Sequence, residues 1–288
     1  MKPMRTDKEM LDLIISVAES DERIRAVVLF GSRAIPDVPK DIFQDYDVCY
    51  LVTDVKPFYD NMEWVRAHFG NPIMTQLPEK MEGAVGDGHF TYLMIFDDGN
   101  RIDLSFYSNP YVDYGEPVLI LFDKDGDGRF IPPITPNPAY FNIKQPTAKL
   151  YDDCCNEFWW CLNNVAKGIA RDELPYAMEM LNDIVRSMLN DMTEWHIGVN
   201  TGFTVSAGKM GKYFKRYLDP RLYDMYCQTY STADYDRLWE AVFIMCELFR
   251  KVANDVAVHF GFRYPQEYDV NMTHYLKWVR GMKEKHNA

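Results

Sequence analysis

The chain of 288 residues carries 31 Lys and Arg against 43 Asp and Glu, a net charge of −12, and 47% of its residues are hydrophobic. This composition is typical of a globular protein of about two domains, and the acidic excess argues against a general nucleic-acid binder. No apolar run approaches the roughly 20 residues of a membrane span, and the charged stretch of residues 1–9 lacks the apolar core of a signal peptide. We therefore expect a cytoplasmic protein with no nucleic-acid, membrane or obligate protein partner. The negative charge fits both a cationic small substrate and a simple role in solubility.

The first half of the chain alternates helix and strand patterns. Helices are predicted over residues 7–19 and 57–69, and strands over 24–30, 46–52, 90–96, 101–107, 117–122 and 129–131. Asp97-Asp98-Gly99-Asn100 separates two of these strands and is typical of a hairpin turn. Asp123–Gly128 looks like the start of a calcium loop, but Ile134 replaces the acid that such a loop needs at position 12. We therefore predict a second hairpin turn there.

The second half is helical. The stretch 132–148 contains five prolines and is predicted to be a linker. Beyond it, helices are predicted over 149–171, 175–196, 207–218, 232–260 and 271–285. The predicted architecture is an α/β N-terminal domain with a mixed sheet, residues 1–140, followed by an all-α helical bundle domain, residues 141–288.

The six cysteines form neither a Cys-x-x-Cys pair nor a Cys/His cluster. This spacing argues against a zinc site and a disulfide framework, and it favours reduced thiols in the cytosol.

Chemistry-bearing residues begin where the first strand ends, at Gly31-Ser32. A glycine lets a ligand approach the backbone closely, and a serine offers its hydroxyl and N–H to an anion such as phosphate. Asp45 and Asp47 then open the second strand, and alternate residues of a strand project from the same face. Two carboxylates so close are unfavourable unless a cation bridges them, and such oxygen ligands suit Mg²⁺ bound with substrate phosphates.

Asp103 lies in a later strand, between the apolar Ile102 and Leu104. An acid in such a strand is costly unless it is paired or bound to metal. If that strand lies beside the one with Asp45 and Asp47, three carboxylates meet. They can then hold two metal ions and support in-line nucleotidyl transfer.

Gly-Ser, then Asp-x-Asp about a dozen residues later, then a third Asp resembles the DNA polymerase β-like nucleotidyltransferase superfamily. One departure is Gln44, which stands where that superfamily often has Ser. Longer stretches look like aminoglycoside 6-adenylyltransferase, the streptomycin-modifying family, over essentially the whole chain. They include Gly31-Ser32-Arg33-Ala34, Ile102-Asp103-Leu104, Tyr151-Asp152-Asp153-Cys154-Cys155, Ile184-Val185-Arg186 and Leu248-Phe249-Arg250.

The resemblance implies an N-terminal nucleotidyltransferase domain that binds Mg-ATP and a helical domain that binds the substrate. AMP would pass to the 6-hydroxyl of streptomycin, pyrophosphate would leave, and the cell would become resistant to the antibiotic. Asp45, Asp47 and Asp103 would be catalytic and would bind two Mg²⁺ ions, while Gly31 and Ser32 would cradle the outer phosphates. Arg33 would pair with the phosphates or support the loop. Two alternatives stay open: another acceptor, such as spectinomycin, a lincosamide or a protein hydroxyl, and a non-catalytic nucleotide-binding module.

Lysines of the helical domain are natural phosphate partners, and Lys167 and Lys209 are the candidates. On residues 149–171, a polar stripe runs through Asp153, Glu157, Trp160, Asn164, Lys167 and Arg171, and an apolar stripe through Cys155, Phe158, Leu162, Val165 and Ile169. The general base is Glu179 in our working assignment, with Asp103 and Glu157 as alternatives. Related kanamycin-modifying enzymes have a base glutamate four residues before a lysine, but Asn163 occupies that position before Lys167.

Overall fold

The computed structural model describes residues 2–35, 38, 40–84, 88–108, 118–126 and 138–286. The chain divides into two compact units, Met1–Tyr140 and Phe141–Ala288. The predicted strand 129–131 and most of the predicted proline-rich linker lie outside the described residues. Asp123 accepts hydrogen bonds from the backbone N–H of Asp125 and Gly126, at 3.2 and 3.1 Å, so a turn begins there.

The first unit is a mixed six-stranded sheet with helices on one face. Its elements are α1 (Asp7–Ser20), β1 (Ile24–Phe30), β2 (Tyr46–Val52), α2 (Met62–Phe69), β3 (Pro72–Gln76), β4 (His89–Phe96), β5 (Arg101–Tyr107) and β6 (Leu119–Asp123). The strand order is β3-β4-β5-β2-β1-β6, in which β2 and β5 are parallel and the other neighbours are antiparallel. The predicted mixed sheet is therefore confirmed.

One face of the sheet packs in a core with α1 and α2, and the opposite face carries the acidic residues beside a smaller buried cluster that includes Val28 of β1 and Cys49 and Leu51 of β2. Val48 and Tyr50 of β2 and Leu104 and Phe106 of β5 are fully buried, and they pack in one core with α1 and α2. Since neighbouring residues in a strand point to opposite faces, Asp47 and Asp103 project from the other face. The core on one face thus fixes the direction of the acidic side chains on the other.

The second unit is helical in all the elements that the structure describes. Its helices are α3 (Ala148–Ala170), α4 (Leu174–Glu179), α5 (Arg186–Thr201), α6 (Phe214–Tyr217), α7 (Pro220–Gln228), α8 (Tyr235–Phe260) and α9 (Gln266–His286). A π-helical segment, Met180–Val185, joins α4 to α5, so one long helical stretch covers the predicted 175–196 helix. The predicted apolar stripe of α3 is buried throughout, and Asp153, Glu157, Trp160 and Arg171 of the polar stripe are exposed.

Four details of the prediction were wrong. The predicted helix 57–69 is helical only from Met62, after a separate 3₁₀ turn, Lys56–Phe58. Residues 207–218 do not form one helix, because Gly208, Met210 and Gly211 adopt positive φ angles that interrupt it before α6. The edge strand β3 was missed because its mostly exposed residues show no alternating burial pattern. The helix α7 was also missed, although Pro220 follows an Asp219 side chain that caps it, a common helix start.

None of the six cysteines, all of which lie among the described residues, forms a disulfide bond, and five of them are buried. Among the described residues, none of the helices is both long and apolar enough to cross a membrane.

Candidate active site

The turn after β1 brings the backbone close to an acidic side chain of β2. Gly31 begins a short 3₁₀ turn, Gly31–Ala34, with φ of +67°. A β-carbon placed on Gly31 would lie 2.2 Å from Oδ2 of Asp47. Glycine is required here for two reasons, since its φ angle is left-handed and no side chain would fit against Asp47.

Asp47 and Asp103 are direct neighbours across the parallel pair of β2 and β5. The strand of Asp103 therefore lies beside the strand of Asp47, which was the condition for bringing the acidic residues near one another. Asp47 is half-buried, and the Asp103 side chain is 15% exposed. The two carboxylates stand side by side on the face of the sheet opposite the core with α1 and α2.

Asp45 lies directly before β2 and shares a cation with Asp103. Arg101 donates from Nε to Oδ1 of Asp103 at 2.9 Å and from Nη2 to Oδ2 at 2.7 Å. Its Nη1 lies 3.1 Å from Oδ2 of Asp45. Burial raises the pKa of Asp45, and Asp103 adds to this rise while Arg101 opposes it. The hydrogen bonds to Asp103 raise the pKa of Arg101, which stays charged.

Arg33 supports the loop that leads to Asp45. Its guanidinium donates to the carbonyl oxygens of Asp45 at 3.0 Å and Gln44 at 2.9 Å. It also pairs with Asp7 at 2.6 Å and lies 3.8 Å from the ring centroid of Tyr46. The loop-supporting alternative for Arg33 is thus visible in the contacts, whereas a phosphate contact stays a prediction.

Gln44 connects the same loop to the Gly-Ser turn. Its amide nitrogen donates to Oγ of Ser32 at 3.2 Å, while its Oε1 is buried and has no hydrogen-bond partner among the residues that the structure describes. The residue that departs from the superfamily pattern therefore orients the serine hydroxyl.

The acidic residues fit divalent metal ions in their chemistry. Carboxylate oxygens are the ligands that Mg²⁺ prefers, and Asp45 and Asp103 both point at the same positive charge. In the described part of the chain, however, no three acidic, His or Cys side chains converge closely enough to hold an ion. Arg101 lies between the carboxylates instead.

The remaining candidates lie in the second unit. Lys167 is half-buried in the last turn of α3, and Glu157 of the same helix accepts a hydrogen bond from Sγ of Cys161 at 3.2 Å. Glu179 is exposed at the end of α4, beside the π-helical segment. Lys209 is exposed at the start of the short 3₁₀ turn Lys209–Gly211. The structure thus brings together Gly31, Ser32, Asp45, Asp47 and Asp103. The functional roles of Lys167, Glu157, Glu179 and Lys209 remain predictions.

Sequence reasoning missed Arg101. A signal for it exists, because Arg101 precedes Asp103 by two residues and must share its face of the strand. A basic residue at that spacing is positioned to pair with the acid.

Comparisons with known proteins find relatives that this chain resembles over nearly its whole length. The sequence model of the family described as Streptomycin adenylyltransferase matches residues 4–279. An aminoglycoside 6-adenylyltransferase of Bacillus subtilis (strain 168) is 40% identical over 284 residues, which cover 96% of this chain and 98% of that protein. One of Campylobacter jejuni is 38% identical over 279 residues, or 95% of each chain. The crystal structure of an aminoglycoside 6-adenyltransferase from Bacillus subtilis aligns with 96% of this chain and 99% of that one, at 38% identity and a TM-score of 0.48. This chain belongs to the streptomycin adenylyltransferase family of nucleotidyltransferases.

Proposed function

We propose that this enzyme transfers AMP from Mg-ATP to the 6-hydroxyl of streptomycin, releases pyrophosphate and so confers resistance to the drug. The observation that carries the proposal is the register of β2 and β5, which sets Asp47 beside Asp103. Gly31 has no side chain, so the turn after β1 can lie directly against Asp47. Family membership supports the same activity, since the relatives named above are aminoglycoside 6-adenylyltransferases.

Asp45, Asp47 and Asp103 are the residues that would hold two Mg²⁺ ions. When bound, these ions would neutralise charge on the triphosphate and on the departing pyrophosphate. The bare backbone at Gly31 lets the turn lie against the Asp47 carboxylate, and the Ser32 hydroxyl, fixed by Gln44, would donate to the outer phosphates. Asp103 would also face the acceptor hydroxyl, since it stands on the neighbouring strand.

In this proposal residues 1–140 bind Mg-ATP and residues 141–288 bind the substrate. Lys167 and Lys209 would contact the phosphates, and Glu179 would take the proton from the acceptor hydroxyl. Part of the net charge of −12 would attract a drug that carries several positive charges. Use of ATP fits a cytoplasmic enzyme.

The experiment is to incubate the purified chain with Mg-ATP and one acceptor at a time: streptomycin, spectinomycin, a lincosamide or none. Mass spectrometry should show the gain of one AMP on streptomycin, and nuclear magnetic resonance should locate it on the 6-hydroxyl. Asp47→Asn should lose this product. Asp12→Asn, which removes an exposed carboxylate on α1 that pairs with Lys8, should keep it.

Each alternative gives its own result. An adduct on spectinomycin or a lincosamide but not on streptomycin would show that this other drug is the acceptor. AMP attached to the protein in the absence of a drug would show that the acceptor is a protein hydroxyl. ATP binding without any adduct would favour the non-catalytic module.

A further inference from the structure

Arg101 makes contacts that the proposed metal chemistry does not explain. It opens β5, and its guanidinium binds Asp103 through two nitrogens and Asp45 through the third. A single side chain therefore spans two of the three proposed metal ligands.

The guanidinium and a divalent ion compete for the same oxygens. Both oxygens of Asp103 and Oδ2 of Asp45 face Arg101, so an ion that binds these oxygens would meet the positive charge of the guanidinium. The Arg101 side chain is 41% exposed, so its long stem can turn towards solvent without opening the apolar core. Removing the guanidinium with no replacement would leave the carboxylates to repel each other.

We propose that Arg101 is a positioning residue that occupies the carboxylates until metal and nucleotide bind together, and then transfers its charge to the nucleotide phosphates. The inference rests on the proposed function, because it takes Asp45 and Asp103 as metal ligands. A displaced guanidinium needs a new anionic partner, and phosphate oxygens accept the same forked pair of hydrogen bonds that a carboxylate does.

This exchange couples the binding of metal to the binding of nucleotide. Metal alone must displace Arg101 into water, whereas metal with nucleotide supplies the phosphates as a second partner. The wild-type chain should therefore bind Mn²⁺, a spectroscopic substitute for Mg²⁺, weakly alone and more tightly with a non-hydrolysable ATP analogue.

The test is a Mn²⁺ titration followed by electron paramagnetic resonance, without and with that analogue. Arg101→Gln should bind Mn²⁺ alone about tenfold more tightly than the wild type, because a competing unit charge is gone. The tightening caused by the analogue should shrink in this variant. Arg101→Lys keeps the charge without the fork, so it should fall between the two.

Arg23→Gln is a matched control. Arg23 also forms a forked pair with an aspartate two residues away, Asp21, and the side-chain exposures of 42% and 10% resemble the 41% and 15% of Arg101 and Asp103. Its Mn²⁺ affinity should equal that of the wild type. A purely structural role for Arg101 would leave the Mn²⁺ affinity unchanged or lower it in Arg101→Gln.

The proposal would be overturned if Arg101→Gln and Arg101→Lys both bind Mn²⁺ no more tightly than the wild type does. Mn²⁺ binding that survives Asp47→Asn and Asp103→Asn would overturn it too, since the ion would then bind elsewhere. Absence of an AMP adduct on any drug would refute the proposed function alone, because the titration needs no acceptor. If Arg101→Gln fails to fold, Arg101→Lys decides the outcome by the same comparison.

Discussion

A β-carbon on Gly31 would lie 2.2 Å from Oδ2 of Asp47, closer than any real side chain can approach a carboxylate oxygen. We expect Gly31→Ala to lower the rate of AMP transfer about a hundredfold, because it displaces a metal ligand by a fraction of an ångström. Steady-state kinetics with streptomycin measures this loss.

Gly126→Ala is the control for Gly31→Ala. Gly126 has the same φ of +67°, but no atom of the described residues lies within 4 Å of its added β-carbon. It should cost about 1 kcal/mol of stability from backbone strain and leave the rate unchanged. Equal rates for the two variants would show that the contact with Asp47 is unimportant.

Arg33→Ala distinguishes loop support from phosphate binding. Loss of the bonds to the carbonyl oxygens of Gln44 and Asp45 should speed amide hydrogen exchange at residues 44–47 in nucleotide-free protein. The turnover number should fall about tenfold with the misplaced Asp45. Lys40→Ala, at an exposed lysine 3.9 Å from Asp7, should change neither value. A raised KM for ATP with unchanged exchange would instead indicate a phosphate partner.

Asp98 makes the stability of the first unit depend on pH. Burial by itself raises the pKa of this carboxyl, which is 4% exposed, but hydrogen bonds from Arg5 and Asn100 more than offset burial and hold the pKa well below its usual value of 3.8. Its contribution is therefore complete above pH 3.8 and is lost as the pH falls through the lower, folded-state value.

Asp98→Asn should lower the free energy of unfolding by about 2 kcal/mol at pH 7, measured by urea denaturation. The deficit should shrink towards low pH, where the wild type also loses the charge. Asp12→Asn, at the exposed pair with Lys8, should stay within about 0.5 kcal/mol of the wild type. A deficit for Asp98→Asn that is constant with pH would contradict the account.

Glu179→Gln tests the proposed general base. Because a base must accept the proton of a hydroxyl with a high pKa, the turnover number should fall about a hundredfold or more, and the acidic limb of the pH–rate profile should disappear. Glu157→Gln should retain the wild-type turnover number and the acidic limb of the profile. An unchanged turnover number in Glu179→Gln would rule out this residue as the general base. The acidic limbs of the pH–rate profiles of Asp103→Asn and Glu157→Gln would then show which of the two alternatives is the base.

The sheet could be predicted largely from the sequence because its central strands have strong apolar patterns. Residues 24–30 and 46–52 match β1 and β2 at both ends, and 101–107 matches β5. Edge strand β3 could not be found this way, since an exposed strand has no core to impose a pattern. The break before α6 depends on three positive φ angles, and two of them belong to Gly208 and Gly211 in the predicted helix.

The acidic residues of the site could be predicted from spacing, but their partners could not. Asp45 and Asp47 stand out as alternate acids at a strand start, and Asp103 as an acid between apolar neighbours. Pairing of β2 with β5 joins residues that lie far apart in sequence, and no local pattern specifies that register. The contact of Arg101 with Asp45 depends on this pairing, so it emerged only from the structure, whereas the forked pair with Asp103 lies within one strand.

Asp47 and Asp103, neighbours across β2 and β5, should act as one catalytic centre, and the kinetics of a double variant measure whether they do. The measurement is the rate of AMP–streptomycin formation in Asp47→Asn, Asp103→Asn and the double variant. If the carboxylates work as a unit, each single change should cost about a thousandfold, and the double variant should lose little more than the worse single one. Losses that multiply in the double variant, or a single variant near the wild-type rate, would contradict the account.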